Sequence, residues 1–317
     1  MRSKKILKRT GYAFLFLFIL LNVISFFHAY KFTHFSEAPG LEKTKDIGKL
    51  STTAKLKALF LGIDHPRPVD KSFPARKYET IQIQSNKMLE CWSIKTDSPS
   101  KGTVIIFHGY GGDKSQMLTD ADEILKMGYN TLLVDFMGSG GSEGNVTTIG
   151  VKEAEEVKSC YEYMELHGEK KILLFGTSMG AAAILKAMSD YHLYPAAILI
   201  ECPFGTMYQT VCARFRLMHV PAFPMAGMLM FWGGTQNGFW AFSHNPAAYA
   251  KSVKCPALLL WGEKDDKVSR NETEEIFANL QGKKALGTYP NSGHENYLKK
   301  DKEKWIKDVS DFLNSLE

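Results

Sequence analysis

A chain of 317 residues with 44% hydrophobic and 23% charged residues has a globular composition and the length for one large domain with an appendage. Its net charge of +5 is accounted for by Arg2, Lys4, Lys5, Lys8 and Arg9, which all precede the first acidic residue, Glu37. The remainder is balanced, which leaves no electrostatic case for nucleic-acid binding, and the five cysteines form neither a Cys-x-x-Cys pair nor a metal-ligand spacing. Buried free thiols are expected, with a Cys202–Cys212 bridge as the alternative in an oxidising compartment.

Residues 1–10 form a basic head, and residues 11–30 contain no Lys, Arg, Asp or Glu. Twenty helical residues at about 1.5 Å each reach about 30 Å, the thickness of a bilayer core. The positive charges in front of this run place the N-terminus in the cytosol and the rest on the extracytoplasmic side of the membrane. The rival reading is a cleaved signal peptide and a secreted product. Phe27-His28-Ala29 puts a bulky residue where a cleavage site needs a small one, so an uncleaved anchor is expected.

Residues 31–79 read as a polar lead-in, with helix near residues 50–61, that carries the chain away from the membrane. Residues 80–94 alternate apolar and polar around Ser85-Asn86, the pattern of a β-hairpin. From residue 103 strands and helices alternate, as in a parallel α/β sheet. Strands are expected at 103–107, 130–136, 171–175, 196–201, 257–261 and 285–289. Helices are expected at 114–127, 149–166, 181–188, 272–280 and 303–316. Residues 205–245 interrupt the rhythm as an inserted cap on a domain spanning 80–317.

The centre of this pattern is Gly176-Thr177-Ser178-Met179-Gly180, between an apolar strand and a small-residue helix. A serine on such a sharp turn exposes its hydroxyl at a helix N-terminus, where free N–H groups favour developing negative charge. A serine needs a base, and Ser292-Gly293-His294-Glu295 offers His294 after the last strand. The base needs an acid to fix its tautomer, and Asp265 lies in the loop that ends the preceding strand. Asp266 and Glu201 are the fallback acids. Two N–H donors are required for an oxyanion hole: Met179 follows the nucleophile, and Tyr110 lies in the loop His108-Gly109-Tyr110-Gly111-Gly112. His108 is expected to shape that loop rather than act as base.

By these features the chain resembles the α/β-hydrolase family. The resemblance runs from about residue 81 onward. It rests on the His-Gly loop, Asp135 with the Gly-Ser-Gly-Gly-Ser turn after it, the Ser178 elbow, the Gly262-x-x-Asp265-x-x-Val268 loop and Gly293-His294. Within that family it is similar to membrane-anchored monoglyceride lipases, lysophospholipases and acyl-protein thioesterases. The resemblance implies a serine hydrolase with a mostly parallel sheet, a triad of Ser178, Asp265 and His294, and no cofactor or metal. Met137 departs from the family, which often carries arginine there. The glycines at 138–144 lack the Gly-Lys-Ser/Thr ending of a phosphate loop.

The cap is rich in Met and aromatic residues and has no Asp or Glu. Such side chains make adaptable apolar walls, so Phe215, Phe223, Trp232 and Trp240 are candidates for binding a hydrophobic acyl chain, with a small-molecule ester, thioester or lipid as substrate. The alternative for these residues is plain core packing. A serine peptidase of the same fold and a non-catalytic, membrane-tethered binding module are the rival functions. Asn145-Val146-Thr147 and Asn271-Glu272-Thr273 are glycosylation sequons in a eukaryotic secretory route only, and the charge run at 299–307 reads as a solvated helix face.

Overall fold

The computed structural model describes residues 2–41 and 51–317. It begins with a 32-residue helix, α1 (Arg2–Thr33), followed by α2 (Thr52–Leu61), whose N-cap Ser51 accepts a hydrogen bond from the Ala54 N–H. The expected helix at 50–61 is thus described from Thr52; position 50 and the rest of 42–50 lie outside the described residues. Strands β1 (Tyr78–Gln84) and β2 (Met88–Ile94) form the expected hairpin.

The βα series then runs β3 (Thr103–Phe107), a 3-10 turn and α3 (Leu118–Lys126), β4 (Asn130–Val134), α4 (Glu153–Leu166), β5 (Ile172–Thr177) and α5 (Met179–Asp190). After β6 (Ala197–Glu201) come the cap helices α6 (Met207–Leu217) and α7 (Met225–Asn237), then α8 (Pro246–Tyr249). The chain finishes with β7 (Ala257–Gly262), α9 (Arg270–Asn279), β8 (Lys284–Tyr289), α10 (Tyr297–Lys300) and α11 (Lys302–Asn314). Helix α4 starts four residues later than the composition predicts, because Ile149 and Gly150 both take positive φ, of 59° and 94°.

The eight strands form one sheet in the order β1-β2-β4-β3-β5-β6-β7-β8. Only the pairings of β2 are antiparallel; every other pair is parallel. Strands β3, β4, β6 and β7 are buried at every position, as unbroken apolar runs must be when helices cover both faces. Successive residues serve opposite faces: Ile105 packs with Val157 and Ala182 of α4 and α5, and Ile106 with Ile124 and Trp305 of α3 and α11. This is the α/β-hydrolase fold. The winding direction reverses between β3 and β5, and a crevice forms beyond the carboxyl ends of strands at such a point.

The lead-in, expected to carry the chain away from the membrane, lies against the domain. Phe35 is buried, its N–H donates to the Asn145 carbonyl at 2.7 Å, and Ser36 bridges Pro66. Arg67 then donates to the carbonyls of Gly140 and Gly144 at 2.8 and 3.0 Å. Apolar burial of Phe32 and Phe35 and the carbonyls freed by the Gly-rich turn hold this segment down. All five cysteines are free thiols, as expected, so the alternative Cys202–Cys212 bridge is not formed; Cys91, Cys160 and Cys202 are buried and Cys212 and Cys255 half-buried.

Helix α1 contains the one stretch, among the described residues, long and apolar enough to cross a membrane, residues Lys4–Thr33. Its later half packs against α7. Trp232 Nε1 donates to Asn22 Oδ1 at 3.2 Å, the Trp232 ring meets Phe26 edge-on at 5.2 Å, and Gln236 Nε2 donates to the Phe26 carbonyl at 2.9 Å.

Candidate active site

Strand β5 and helix α5 meet at Ser178 with almost no room. A Cβ on Gly176 would lie 2.6 Å from the Gly180 carbonyl carbon, and one on Gly180 would lie 2.5 Å from the Phe107 carbonyl oxygen. Glycine at both positions therefore permits the turn, and Ser178 itself is held at φ 53°, a strained value for a residue with a side chain. Its N–H is fixed to the Glu201 carbonyl at 2.8 Å. The result is a hydroxyl standing on the tip between strand and helix.

Ser178 Oγ lies 2.9 Å from His294 Nε2, and His294 Nδ1 lies 2.8 Å from Asp265 Oδ2. The other oxygen of Asp265 accepts the N–H groups of Lys267 and Val268, both at 2.8 Å, so the carboxylate is fixed from both sides. Asp266 is exposed and takes no part in this chain of bonds. Glu201 lies beneath the site, accepting from Trp305 Nε1 at 2.7 Å and Thr177 Oγ1 at 3.3 Å. Burial pushes its pKa up to about 8, against the Trp305 and Thr177 hydrogen bonds. His108 also has the structural role expected of it: its Nδ1 meets the Gly109 carbonyl at 2.8 Å, and its Nε2 accepts the Phe136 N–H at 3.1 Å.

Burial by itself lowers the pKa of His294. The neighbouring Cys202 and the hydrogen-bonded Asp265 more than reverse this and raise it to about 10. Neither the Tyr110 nor the Met179 backbone N–H has an acceptor among the described residues.

These groups open into a cavity of about 350 Å³, whose walls include Ser178, His294, Cys202, Phe204, Thr210 and Arg214. None of the four cap aromatics singled out from the sequence lines it. Phe215 is buried on α6, Trp232 packs on α1, and Phe223 and Trp240 are 84% and 60% exposed. The reason is the register of the cap: α6 turns Thr210 and Arg214 to the cavity, and α7 spends an aromatic face on α1 instead. Thr210 and Arg214 were missed, although their spacing of four within one helix places them on one face.

Another missed group is Lys114. Its fully buried ammonium bonds Asp70 at 2.6 Å, Glu90 at 2.9 Å and Asp135, and lies 4.3 Å from the centre of the Trp92 ring. The three carboxylates raise its pKa, against the opposing effect of burial, which is the larger single influence. Lys114 ties the loop that follows β3 to the strand-end Asp135 and the Gly-rich turn.

The prolyl oligopeptidase family model matches residues 117–316, well over half of the chain and all of the elbow, acid and histidine loops. The chain belongs to the prolyl oligopeptidase family. It is a serine hydrolase of the α/β-hydrolase fold. Among its relatives is the uncharacterized protein YqkD of Bacillus subtilis, 25% identical over 225 residues that cover 69% of this chain and 73% of that one. The lysophosphatidylserine lipase ABHD12 of Danio rerio is 24% identical over 188 residues, covering 55% of this chain and 46% of that protein. The esterase Pf2001 of Pyrococcus furiosus shares the fold, with a TM-score of 0.66 at 23% identity, over 80% of this chain and 99% of its own.

Proposed function

We propose that this member of the family is a membrane-anchored hydrolase of carboxylic esters or thioesters that carry a hydrophobic acyl group. The observation that carries the reading is the unbroken bond chain Ser178–His294–Asp265, ending in a cavity walled by an acid-free cap that packs on α1. In this mechanism Ser178 Oγ attacks the acyl carbonyl while His294 Nε2 takes its proton. Asp265 holds the tautomer and supports the imidazolium. The Met179 and Tyr110 N–H groups receive the oxyanion. His294 then returns the proton to the departing alcohol or thiol, and water cleaves the acyl-enzyme through the same base. Metals and cofactors have no part in these steps.

Helix α1 serves as the anchor, with its basic head in the cytosol and the hydrolase on the extracytoplasmic side. Packing of α1 residues 22–26, one to two turns inside the extracytoplasmic end of the span, on α7 sets the cap into that leaflet. The exposed Phe223, Phe231, Trp240 and Phe242 then face lipid, which accounts for apolar side chains that the domain itself leaves uncovered.

Peptide-bond cleavage is the second reading, favoured by the family match. A free amino terminus needs a carboxylate to hold it, and residues 205–245 contain none. The discriminating experiment compares p-nitrophenyl esters of increasing acyl length with aminoacyl p-nitroanilides, using full-length protein in detergent. Ester turnover that rises from short to medium chains is expected. Anilide turnover with inert esters would replace this reading by the peptidase.

A further inference from the structure

Helix α6 offers the cavity two polar groups that the protein itself leaves unmatched. The Oγ of Thr210 is buried without a hydrogen-bond partner. One turn on, Arg214 makes no hydrogen bond and no ion pair among the described residues; its guanidinium lies over the rings of Phe32, at 4.1 Å, and Tyr110, at 5.3 Å. Both side chains line the cavity that contains Ser178.

A half-buried cation without a carboxylate is costly, and ring contacts recover only part of that cost. Burial lowers the Arg214 pKa, the direction expected of a cation short of negative charge. The surrounding charges do not supply it. Lys267 and Lys299 also line the cavity, and the one carboxylate among the lining residues, Glu295, is already engaged by the Gly293 N–H at 3.1 Å and by Lys300 at 3.9 Å. A planar guanidinium pinned on two rings, with a hydroxyl one turn away, is pre-oriented for the oxygens of a phosphoryl group.

We propose that Thr210 and Arg214 form a subsite for a phosphoryl group on the leaving-group side of the substrate. The preferred esters are then anionic monoacyl lipids, not neutral glycerides. This rests on the ester-hydrolase reading above.

The test is the ratio of kcat/KM for monooleoylglycerol phosphate to that for monooleoylglycerol, with full-length protein in neutral detergent. Wild type favours the phosphate, and Arg214→Gln, which keeps a planar group on the rings, lowers the ratio about 10-fold or more, chiefly through KM. Thr210→Val lowers it about 2- to 10-fold, and Arg214→Lys keeps part of it. Equal ratios in wild type and Arg214→Gln overturn the subsite. Binding of the corresponding non-hydrolysable ethers to Ser178→Ala separates the two ideas. Tighter binding of the phosphate ether, lost in Ser178→Ala/Arg214→Gln, supports the subsite even where neither ester is cleaved, which would instead remove the ester reading. Equal binding of both ethers overturns the subsite.

Discussion

The Tyr110 hydroxyl donates to the Phe32 carbonyl at 2.8 Å, and the two rings stack with centroids 4.7 Å apart. Phe32 belongs to the last turn of α1, and Tyr110 to the loop that lines the same cavity as Ser178. The apolar N-terminal helix is therefore joined directly to the loop after β3 that lines the Ser178 cavity.

Loosening that contact is expected to slow the chemistry. Tyr110→Phe removes one hydrogen bond, worth about 0.5–1.5 kcal/mol, and is expected to lower kcat about 2- to 10-fold. Phe32→Ala removes the stacked ring and is expected to act in the same direction. Steady-state kinetics on a soluble ester check both. Unchanged kcat in the two variants would mean that the loop holds its shape without α1.

The acid at position 265 has a definite expected effect. Asp265→Asn leaves a hydrogen-bonding side chain but favours the wrong imidazole tautomer, and kcat is expected to fall about 10³- to 10⁴-fold. Asp266→Asn, at an exposed site outside the bond chain, is expected to stay within about 2-fold of wild type. A large loss at 266 and none at 265 would reassign the acid.

The pH dependence follows from His294. Its folded pKa is raised above 6.5, to about 10, and only the neutral ring accepts the serine proton. Activity is therefore expected to rise with pH across the alkaline range. The stability effect has the opposite slope. A raised pKa means that the fold favours the protonated ring, so this contribution is complete below pH 6.5 and is lost as pH rises toward 10. Profiles of kcat/KM and of unfolding midpoint against pH check the two slopes together. A flat activity profile above pH 6.5 would contradict the raised value.

Lys114 is expected to matter for stability. Replacing it with Met leaves Asp70, Glu90 and Asp135 facing one another without the ammonium. Breaking a buried ion cluster on one side costs about 3–5 kcal/mol. A domain of this size is expected to lose more than about 6 °C in Tm. Circular dichroism on heating measures it, and an unchanged Tm would show that water replaces the cation at no cost.

The exposed cap aromatics give a separate expectation. Phe223→Ser and Trp240→Ser are expected to lower hydrolysis of an ester presented in vesicles relative to a water-soluble short ester. An unchanged ratio would remove the cap from the membrane surface.

Legibility in the sequence followed the range of the forces involved. The βα rhythm, the Ser178 elbow, the Asp265 loop and Gly293-His294 are set by local patterns: apolar runs, glycines where backbones touch, and a fixed order of loops at one end of a parallel sheet. The cap was read less well. Which face of α7 turns inward depends on α1, as in the Trp232–Asn22 bond between residues 210 apart. Composition identified the aromatics but could not assign them to cavity, helix or surface. The Lys114 cluster joins residues from four separate segments, and no spacing announces it. The path of residues 32–36 back over Tyr110 was hidden for the same reason.

The most direct test of an activated Ser178 is labelling by a fluorophosphonate probe in membranes that contain the full-length protein, beside Ser178→Ala. Labelling of wild type at neutral to alkaline pH, abolished in Ser178→Ala, is the expected result. A folded wild type that takes no label, or a Ser178→Ala protein that labels equally well, would contradict it.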